Sequence, residues 1–382
     1  LKGEVSTSGA KNAALPILFS TLLAEGEHVF LNVPKLKDIE STTALLESLG
    51  CATRWEGDKF FVKVSRIDSF EASYDLVRKM RASFLCMGPL LAKYGEAVVS
   101  QPGGCAIGSR PIDLHLEGFK ALGAQVTQKE GYVHASAKKL KGGSLLFETV
   151  TVGGTENVLM AATLAEGRTI IENAAKEPEI VDLAEYLIKM GAKISGHGSS
   201  VITVEGVEKL KPAEHSIMPD RIEAGTLLIA GAITKGEVTV KKCVPSHLDA
   251  LLLKMKECGF KISTEKDSMT IMSASSWKAV DITTAPHPLF PTDLQAQFMA
   301  LMAVANGTSV ISETVFENRF MHVQELIRLG ADITPKTRVA VVRGRPGELT
   351  GAPVMATDLR ASASLVLAGL VAKGETVVNR IY

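Results

Sequence analysis

The chain has 382 residues with 46% hydrophobic and 22% charged side chains, and its 42 basic residues balance 42 acidic ones. This length predicts two domains, and the composition is typical of a globular protein. The balanced charge argues against a nucleic-acid partner, and because no apolar run reaches the roughly 18 residues of a membrane span, we expect no membrane insertion.

The first predicted element is an apolar helix that follows Lys11 and Asn12. The stretch 13–24 is similar to a signal-peptide core, but Pro16 interrupts it, Glu25 follows it and no small-residue cleavage site is present. We therefore interpret it as a helix of the folded protein. Because the chain opens at Leu1 without a methionine, we expect the native N-terminus to lie outside this sequence.

A glycine-rich loop between Pro102 and Pro111 holds one cysteine, Cys105, five residues before Arg110. Glycines let the backbone approach a ligand closely, and a nearby cation stabilises the reactive thiolate. The loop predicts a reactive thiol, with an incidental surface cysteine as the alternative. The odd number of cysteines indicates reduced thiols in a cytoplasmic protein. The other four are interpreted as small buried hydrophobes: Cys51, Cys86, Cys243 and Cys258.

Helices and strands recur along the whole chain with a period near seventy residues. In each unit an apolar helix and a glycine-containing turn precede a strand of β-branched residues, and a second helix ends in a further glycine that supplies the left-handed cap. This period predicts six units packed as two domains of three. The sixth unit stops at Tyr382, so we expect the native C-terminus to lie outside this sequence too. The turn glycines are Gly26, Gly95, Gly167, Gly236, Gly307 and Gly374, and the cap glycines are Gly50, Gly123, Gly191, Gly259 and Gly330.

The first helix of each unit is apolar on every side, as segments 159–165 and 364–371 illustrate. Such helices are buried, so we expect helices in the domain centres and sheets outside. Polar residues stand where these helices begin, and helix N-termini attract anions. The pattern predicts an anion site, with simple N-capping as the alternative for the aspartates. The polar residues are Lys11, Asn12, Arg81, Thr155, Glu156, Asp220, Arg221, Asp293, Asp358 and Arg360.

Five ordered segments carry a resemblance to a known family. They are SGAKNAALP at 8–16, the Cys105 loop with RPIDLH at 110–115, TAPHPLFPTD at 284–293, FENRFMH at 316–322 and ATDLRAS at 356–362. Together they resemble the UDP-N-acetylglucosamine enolpyruvyl transferases (1-carboxyvinyltransferases) of the EPSP synthase family, over essentially the whole chain. The resemblance implies two inside-out α/β barrel (prism) domains of three units each. Residues 11–218 would form the first domain, with the Cys105 loop, and residues 1–10 plus 219–382 the second, truncated one.

The resemblance also implies a reaction. Members of this family transfer the enolpyruvyl group of phosphoenolpyruvate to the 3-hydroxyl of UDP-N-acetylglucosamine, with release of phosphate, in the first committed step of peptidoglycan synthesis. The chemistry is an addition followed by an elimination, and it needs a base, an acid and cations on the phosphate. Two small-molecule substrates and no cofactor or metal are expected, and the epoxide fosfomycin is the expected inhibitor.

Site residues follow from the same resemblance. Cys105 is expected to be the acid and Asp293 the base, and Lys11 and Arg110 to hold the phosphate and carboxylate. Some members carry a lysine at the position of Thr149, so one cation near the nucleotide diphosphate is absent here. A missing C-terminal segment would also remove an arginine from the phosphoenolpyruvate site. The remaining expected substrate contacts are Asn12, Arg81, Pro111, Ile112, Asp113, Leu114, Thr149, Val150, Thr151, Val152, Val315, Arg319, Asp358 and Arg360.

Two competing functions stay open. One is the sister enzyme of the shikimate pathway, which uses the same donor and a small carboxylate acceptor but has no cysteine as the acid. The Cys105 loop and the segment 318–322 favour the UDP-sugar enzyme. The other is a non-catalytic paralogue, which would lack Lys11, Cys105 or Asp293, whereas all three are present. The histidines of the motifs, His115, His287 and His322, are also compatible with purely structural hydrogen bonding.

Overall fold

A computed structural model describes residues 1–78, 80–102, 112–272 and 274–381. The expected site residues Cys105, Arg110 and Pro111 therefore lie outside the described residues. The chain divides into two compact units. One, the 219–381 unit, also contains Leu1–Thr7, and the other, the 8–218 unit, contains the described residues from Ser8 to Met218.

The α-helices of the described residues alternate between long apolar helices and amphipathic ones. In chain order they are α1 (Lys11–Ser20), α2 (Lys37–Ser48), α3 (Tyr74–Val77), α4 (Met87–Tyr94), α5 (Asp113–Ala121), α6 (Val152–Ala162), α7 (Pro178–Lys189), α8 (Arg221–Ile233), α9 (Asp249–Cys258), α10 (Gln295–Ala303), α11 (Val323–Arg328) and α12 (Leu359–Gly369). Short 3-10 turns precede α4 at Arg81–Cys86 and α10 at Thr292–Leu294, and two more lie at Thr21–Leu23 and Pro245–Leu248.

The strands are short and follow the helices in a regular order. They are β1 (Lys2–Ser6), β2 (Gly26–Leu31), β3 (Ala52–Glu56), β4 (Lys59–Val64), β5 (Glu71–Ala72), β6 (Glu96–Ser100), β7 (Gln125–Lys129), β8 (Tyr132–Ser136), β9 (Ser144–Leu146), β10 (Arg168–Glu172), β11 (Lys193–Ser195), β12 (Val201–Glu205), β13 (Glu214–Ser216), β14 (Glu237–Lys241), β15 (Ile262–Thr264), β16 (Ser268–Ile271), β17 (Ile282–Thr283), β18 (Gly307–Ser312), β19 (Asp332–Pro335), β20 (Val339–Gly344), β21 (Pro353–Met355) and β22 (Val377–Asn379).

The sheets confirm the predicted repeat. In the 8–218 unit the strand orders are β13-β2-β4-β3, β5-β6-β8-β7 and β9-β10-β12-β11, and in the 219–381 unit they are β1-β14-β16-β15, β17-β18-β20-β19 and β21-β22. In every sheet the strand after the apolar helix pairs in parallel with an edge strand, and in the four-stranded sheets it also pairs antiparallel with one strand of a hairpin. The sixth sheet has only the parallel pair among the described residues.

Apolar helices form the centre of each unit, as the sequence predicts. Helices α1, α4 and α6 lie in one core and α8, α10 and α12 in the other, and all nine residues of α10 are buried. A helix that is apolar on every side is stable only where other elements cover it entirely. The sheets supply that cover, so the N-terminal residues of these helices are fixed by a packed core.

Helix α12 departs from the prediction of complete burial. Val366 and Leu370 are 47% and 48% exposed, because among the described residues the sheet beside this helix has two strands where each of the other five has four. The sequence of segment 364–371 has the apolar pattern of a covered helix, but whether its side chains are buried depends on the neighbouring sheet.

Gly236, one of the turn glycines, is needed for a close backbone contact and not for a left-handed conformation. The left-handed residue at the turn before β14 is Lys235, with φ 53°. A Cβ atom on Gly236 would collide with the backbone oxygen of Leu1, which lies just ahead of β1. The glycine therefore allows β1 to pair with β14, and that pairing joins the N-terminal strand to the 219–381 unit.

Candidate active site

Asp293 is the centre of the polar cluster in the 219–381 unit. It lies in the 3-10 turn that leads into the buried helix α10. Its Oδ1 atom accepts a hydrogen bond of 2.6 Å from Nη2 of Arg319, and its Oδ2 atom is 3.6 Å from Nε of Arg360. The Arg319 side chain is only 7% exposed, and that of Asp293 is 25% exposed. The structure thus brings together three of the expected site residues that are far apart in the sequence.

The charges around Asp293 keep it ionised. Burial alone would raise the pKa of this carboxyl, but the positive charges of Arg319, Arg360 and Arg221 outweigh burial and hold the pKa well below its usual range. Three cations thus lie close to one carboxylate. The cluster is therefore suited to bind an anion even though the chain has no net charge.

Asp293 differs from Asp220 and Asp358, the other two aspartates at the starts of core helices, in that those two cap their helices. One oxygen of Asp220 accepts hydrogen bonds from the backbone N–H groups of Ile222 and Glu223 at the start of α8. Asp358 caps α12 in the same way, with bonds of 2.8 and 3.0 Å from Arg360 and Ala361. Asp293 makes no such cap, because its carboxylate contacts the arginines. Asp220 and Asp358 thus do cap helices, while an additional part for them in anion binding stays a prediction.

A buried glutamate, Glu313, connects the segments on either side of Asp293. It is 1% exposed. Its Oε1 atom accepts hydrogen bonds from the backbone N–H groups of Val315 and Phe316, at 2.9 and 3.1 Å. Its Oε2 atom accepts one of 2.9 Å from the hydroxyl of Thr292, the residue before Asp293. Glu313 was not predicted from the sequence, since a single glutamate at the end of a strand carries no distinguishing spacing.

His322 lies in the same cluster and is completely buried. Neither ring nitrogen makes a hydrogen bond of good geometry within the described residues, and the structural hydrogen-bonding interpretation of this histidine stays a prediction. Burial lowers the pKa of His322 to about 4, with the charge of Arg319 acting in the same direction and that of Asp358 against it. The ring is therefore neutral at pH 7 and adds no charge to the cluster.

In the 8–218 unit, Lys11 begins helix α1 and pairs with an aspartate. Its Nζ atom is 2.8 Å from Oδ2 of Asp38, in the first turn of α2, and the two side chains are 18% and 30% exposed. The ammonium group therefore has a fixed position at the N-terminus of a buried helix. The expected role of Lys11 in anion binding remains a prediction, and Asp38 is a partner that the sequence analysis did not identify.

The expected contacts 149–152 lead into helix α6. The hydroxyl of Thr151 caps this helix by accepting a hydrogen bond of 3.1 Å from the backbone N–H of Gly154. Thr149 is exposed, while Val150 and Thr151 are half-buried. Within α6, burial and the carboxyl groups of Glu179 and Glu177 raise the pKa of Glu156 well above its usual range.

Asn157 joins three segments that carry expected site residues, and it too was missed in the sequence. Its side-chain nitrogen donates to the carbonyl of Phe84 and to Nδ1 of His115, both at 3.1 Å, and its oxygen accepts from the N–H of Gly88 at 2.9 Å. The start of α5, which carries Ile112, Asp113 and Leu114, and the turn that begins at Arg81 are thereby held beside α6.

Among the described residues, no group of three or more histidine, cysteine or acidic side chains has the geometry of a metal site. Within the same ranges, no helix is both long and apolar enough to cross a bilayer.

Known proteins show similarity over the whole chain. A family model described as EPSP synthase (3-phosphoshikimate 1-carboxyvinyltransferase) matches residues 1–382. A curated relative from Bdellovibrio bacteriovorus, named UDP-N-acetylglucosamine 1-carboxyvinyltransferase, is 82% identical over 100% of this chain and 92% of its own length. A relative of the same name from Myxococcus xanthus is 59% identical over 100% of this chain and 91% of its own length.

Solved structures show the same fold. The enolpyruvyl transferase NikO from Streptomyces tendae matches with a TM-score of 0.87 and 23% identity, over 98% of this chain and 90% of that chain. An EPSP synthase from Acinetobacter baumannii matches with a TM-score of 0.73 and 18% identity, over 99% of this chain and 91% of that chain. The two-domain α/β fold of this chain is that of these transferases.

Proposed function

The chain belongs to the EPSP synthase family, and on that basis we propose that it transfers the enolpyruvyl group of phosphoenolpyruvate to the 3-hydroxyl of UDP-N-acetylglucosamine. The observation that carries this proposal is the 82% identity, over the whole chain, to a relative named for that reaction. The product would enter peptidoglycan synthesis. Both substrates are small molecules, and we place the reaction in the cytoplasm.

The reaction requires a proton to leave the sugar hydroxyl as that oxygen attacks C2 of phosphoenolpyruvate. A proton adds to C3 at the same stage and leaves again when the C2–O bond to phosphate breaks, so the enol ether and inorganic phosphate are the products. We assign the hydroxyl proton to Asp293, which is ionised at neutral pH. General-base catalysis of this kind contributes roughly 10²- to 10⁴-fold to the rate.

The low pKa of Asp293 bears on how it would work as a base. A carboxylate that three arginines hold ionised is a weak proton acceptor. The contact of Asp293 with Arg360, at 3.6 Å, is longer than that with Arg319 and easier to give up. We propose that an anionic substrate draws Arg360 away, so that the pKa of Asp293 rises only in the substrate complex.

Lys11 and the cysteine loop would bind the donor, phosphoenolpyruvate. The ammonium group of Lys11 is held at 2.8 Å from Asp38, at the positive end of α1, where a phosphate group is also attracted. We propose Cys105 as the acid that protonates C3 and Arg110 as a further cation, on the basis of the family motif alone. These two residues lie outside the described part of the chain.

Release of phosphate tests the proposed function and its acceptor. Purified protein is incubated with phosphoenolpyruvate and either UDP-N-acetylglucosamine or shikimate 3-phosphate, the acceptor that the family description suggests as the second candidate. We expect stoichiometric phosphate release with the UDP-sugar and none above background with shikimate 3-phosphate. Release with shikimate 3-phosphate alone would assign the chain to the sister reaction, and release with neither would contradict both proposals.

A further inference from the structure

The buried carboxylate of Glu313 accepts five hydrogen bonds from three segments of the 219–381 unit. Besides Thr292, Val315 and Phe316, the donors are the hydroxyl of Thr284 at 2.8 Å and the side-chain amide of Gln295 at 3.4 Å. A buried carboxylate is costly unless each oxygen is fully hydrogen-bonded. A residue this enclosed does not contact substrate, so any effect it has on the reaction acts through its neighbours.

Hydrogen bonds link Asp293 to Glu313 through Arg319 and Thr292, and the donor of each bond follows from the groups involved. A guanidinium group can only donate, and Nη1 of Arg319 lies 2.9 Å from the hydroxyl oxygen of Thr292. The Thr292 oxygen therefore accepts from Arg319, and its own proton points to Oε2 of Glu313, at 2.9 Å. The other nitrogen of Arg319, Nη2, donates to Asp293. Arg319 is thus fixed by two acceptors, of which Asp293 is one and Thr292 the other.

We propose that Glu313 is a positioning residue for the proposed base. Through the Thr292 hydroxyl it orients the Arg319 guanidinium on Asp293, and through the N–H groups of Val315 and Phe316 it fixes the adjoining segment. This inference rests on the function proposed above, because it assigns Glu313 a part in that reaction. Small errors in the position of a group beside the reacting atoms cost up to about a hundredfold in rate.

Two isosteric changes at threonine separate this role from simple structural support. Both threonines donate a hydroxyl to Glu313, but only Thr292 also contacts Arg319. Thr284 instead accepts from the backbone N–H of Thr314, at 3.1 Å. Thr292→Val and Thr284→Val therefore each remove one hydrogen-bond donor from the Glu313 carboxylate. Each also removes one acceptor: that of Arg319 Nη1 in Thr292→Val, and that of the Thr314 N–H in Thr284→Val. Their stabilities should fall by similar amounts, and the two variants serve as a matched pair.

A third variant, Glu313→Gln, perturbs only one side of the carboxylate. The backbone N–H groups of Val315 and Phe316 can only donate, so the amide oxygen must face them. The amide nitrogen then faces Thr292, whose oxygen already accepts from Arg319. The hydroxyl proton of Thr292 then has no acceptor, and the orientation of Arg319 by Thr292 is weakened. The hydrogen bonds from the N–H groups of Val315 and Phe316 are kept.

The test measures kcat, and KM for UDP-N-acetylglucosamine, in the full-length chain. We expect Thr292→Val and Glu313→Gln to lower kcat between about ten- and a hundredfold and to change KM less than about threefold. Thr284→Val should keep kcat within about twofold, and Thr292→Ser should restore at least half of the wild-type kcat. In an Asp293→Asn background, Thr292→Val should cause no further loss, since both changes act on the same step.

The outcomes separate this inference from the proposed function. Equal kcat losses in Thr292→Val and Thr284→Val, or losses that multiply in the Asp293→Asn background, would show that Glu313 only supports the fold. Failure of the wild-type chain to transfer the enolpyruvyl group would instead reject the proposed function, and this inference with it. Thermal unfolding of each variant confirms that the kinetic comparison is made on folded protein.

Discussion

Replacing Asp293 by asparagine removes the negative charge that Arg319 and Arg360 share, with almost no change in shape. Removing one partner of a fully buried ion pair costs about 3–5 kcal/mol, because the remaining charge is left uncompensated. Here Asp293 is 25% exposed, and the asparagine oxygen still accepts the hydrogen bond from Nη2 of Arg319. We therefore expect a smaller loss in the free energy of unfolding, of about 1–3 kcal/mol.

The kinetic effect of Asp293→Asn should be much larger than its effect on stability. An amide cannot accept the proton of the sugar hydroxyl, so kcat should fall by roughly 10²- to 10⁴-fold. Steady-state phosphate release at saturating phosphoenolpyruvate and UDP-N-acetylglucosamine measures this loss. Urea unfolding of the same samples measures the stability.

The matched control is Asp220→Asn, the same substitution at the start of another core helix of this unit. Asp220 caps α8 with one oxygen, and asparagine is an equally good cap. Its stability should stay within about 0.5 kcal/mol of wild type, and its kcat within about threefold. Retention of more than a tenth of the wild-type kcat by Asp293→Asn would refute the assignment of Asp293 as the base.

Three further predictions concern the cysteines, Asn157 and the pH dependence of the stability that Asp293 provides. Mass spectrometry after fosfomycin treatment should find the adduct on Cys105 alone. Burial raises the pKa of Cys51, Cys86 and Cys258 to about 12 and also raises that of Cys243, which disfavours the reactive thiolate at these four positions. An adduct elsewhere with Cys105 unmodified would contradict this. Asn157→Leu should lower the free energy of unfolding by about 2–5 kcal/mol in urea, because it removes the three hydrogen bonds that Asn157 makes with Phe84, Gly88 and His115. A loss below about 1 kcal/mol would speak against that role. The pKa of Asp293 is lowered in the folded state, so its stabilising effect is complete above its ordinary pKa of 3.8 and is lost as the pH falls further. The free energies of urea unfolding of wild type and Asp293→Asn should therefore become more similar as the pH falls below 4. A difference between them that grows below pH 4 would contradict the lowered pKa.

The repeat made most of the fold predictable. Buried helices without a polar face and glycines at regular intervals are local features, so they can be counted in the sequence. The exposure of Val366 and Leu370 follows from the neighbouring sheet, which has two strands among the described residues. The need for glycine at Gly236 also arises from a distant segment, the chain at Leu1.

The candidate site was predictable where charged residues stand at helix starts and in family motifs. Asp293, Arg319 and Arg360 are brought together as expected. Glu313 and Asn157 were missed because their function lies in several hydrogen bonds to distant backbone groups. A one-dimensional sequence shows the residue but not its partners, so such residues can be recognised only once the fold is known.

The most direct test of the account is the structure of the product. Wild-type protein is incubated with UDP-N-acetylglucosamine and phosphoenolpyruvate labelled with ¹³C at C2, and the product is examined by NMR. We predict one labelled product in which C2 couples through oxygen to the hydrogen at position 3 of the sugar, together with one equivalent of inorganic phosphate. Label that stays in phosphoenolpyruvate, or that joins a different hydroxyl, would contradict the proposed reaction.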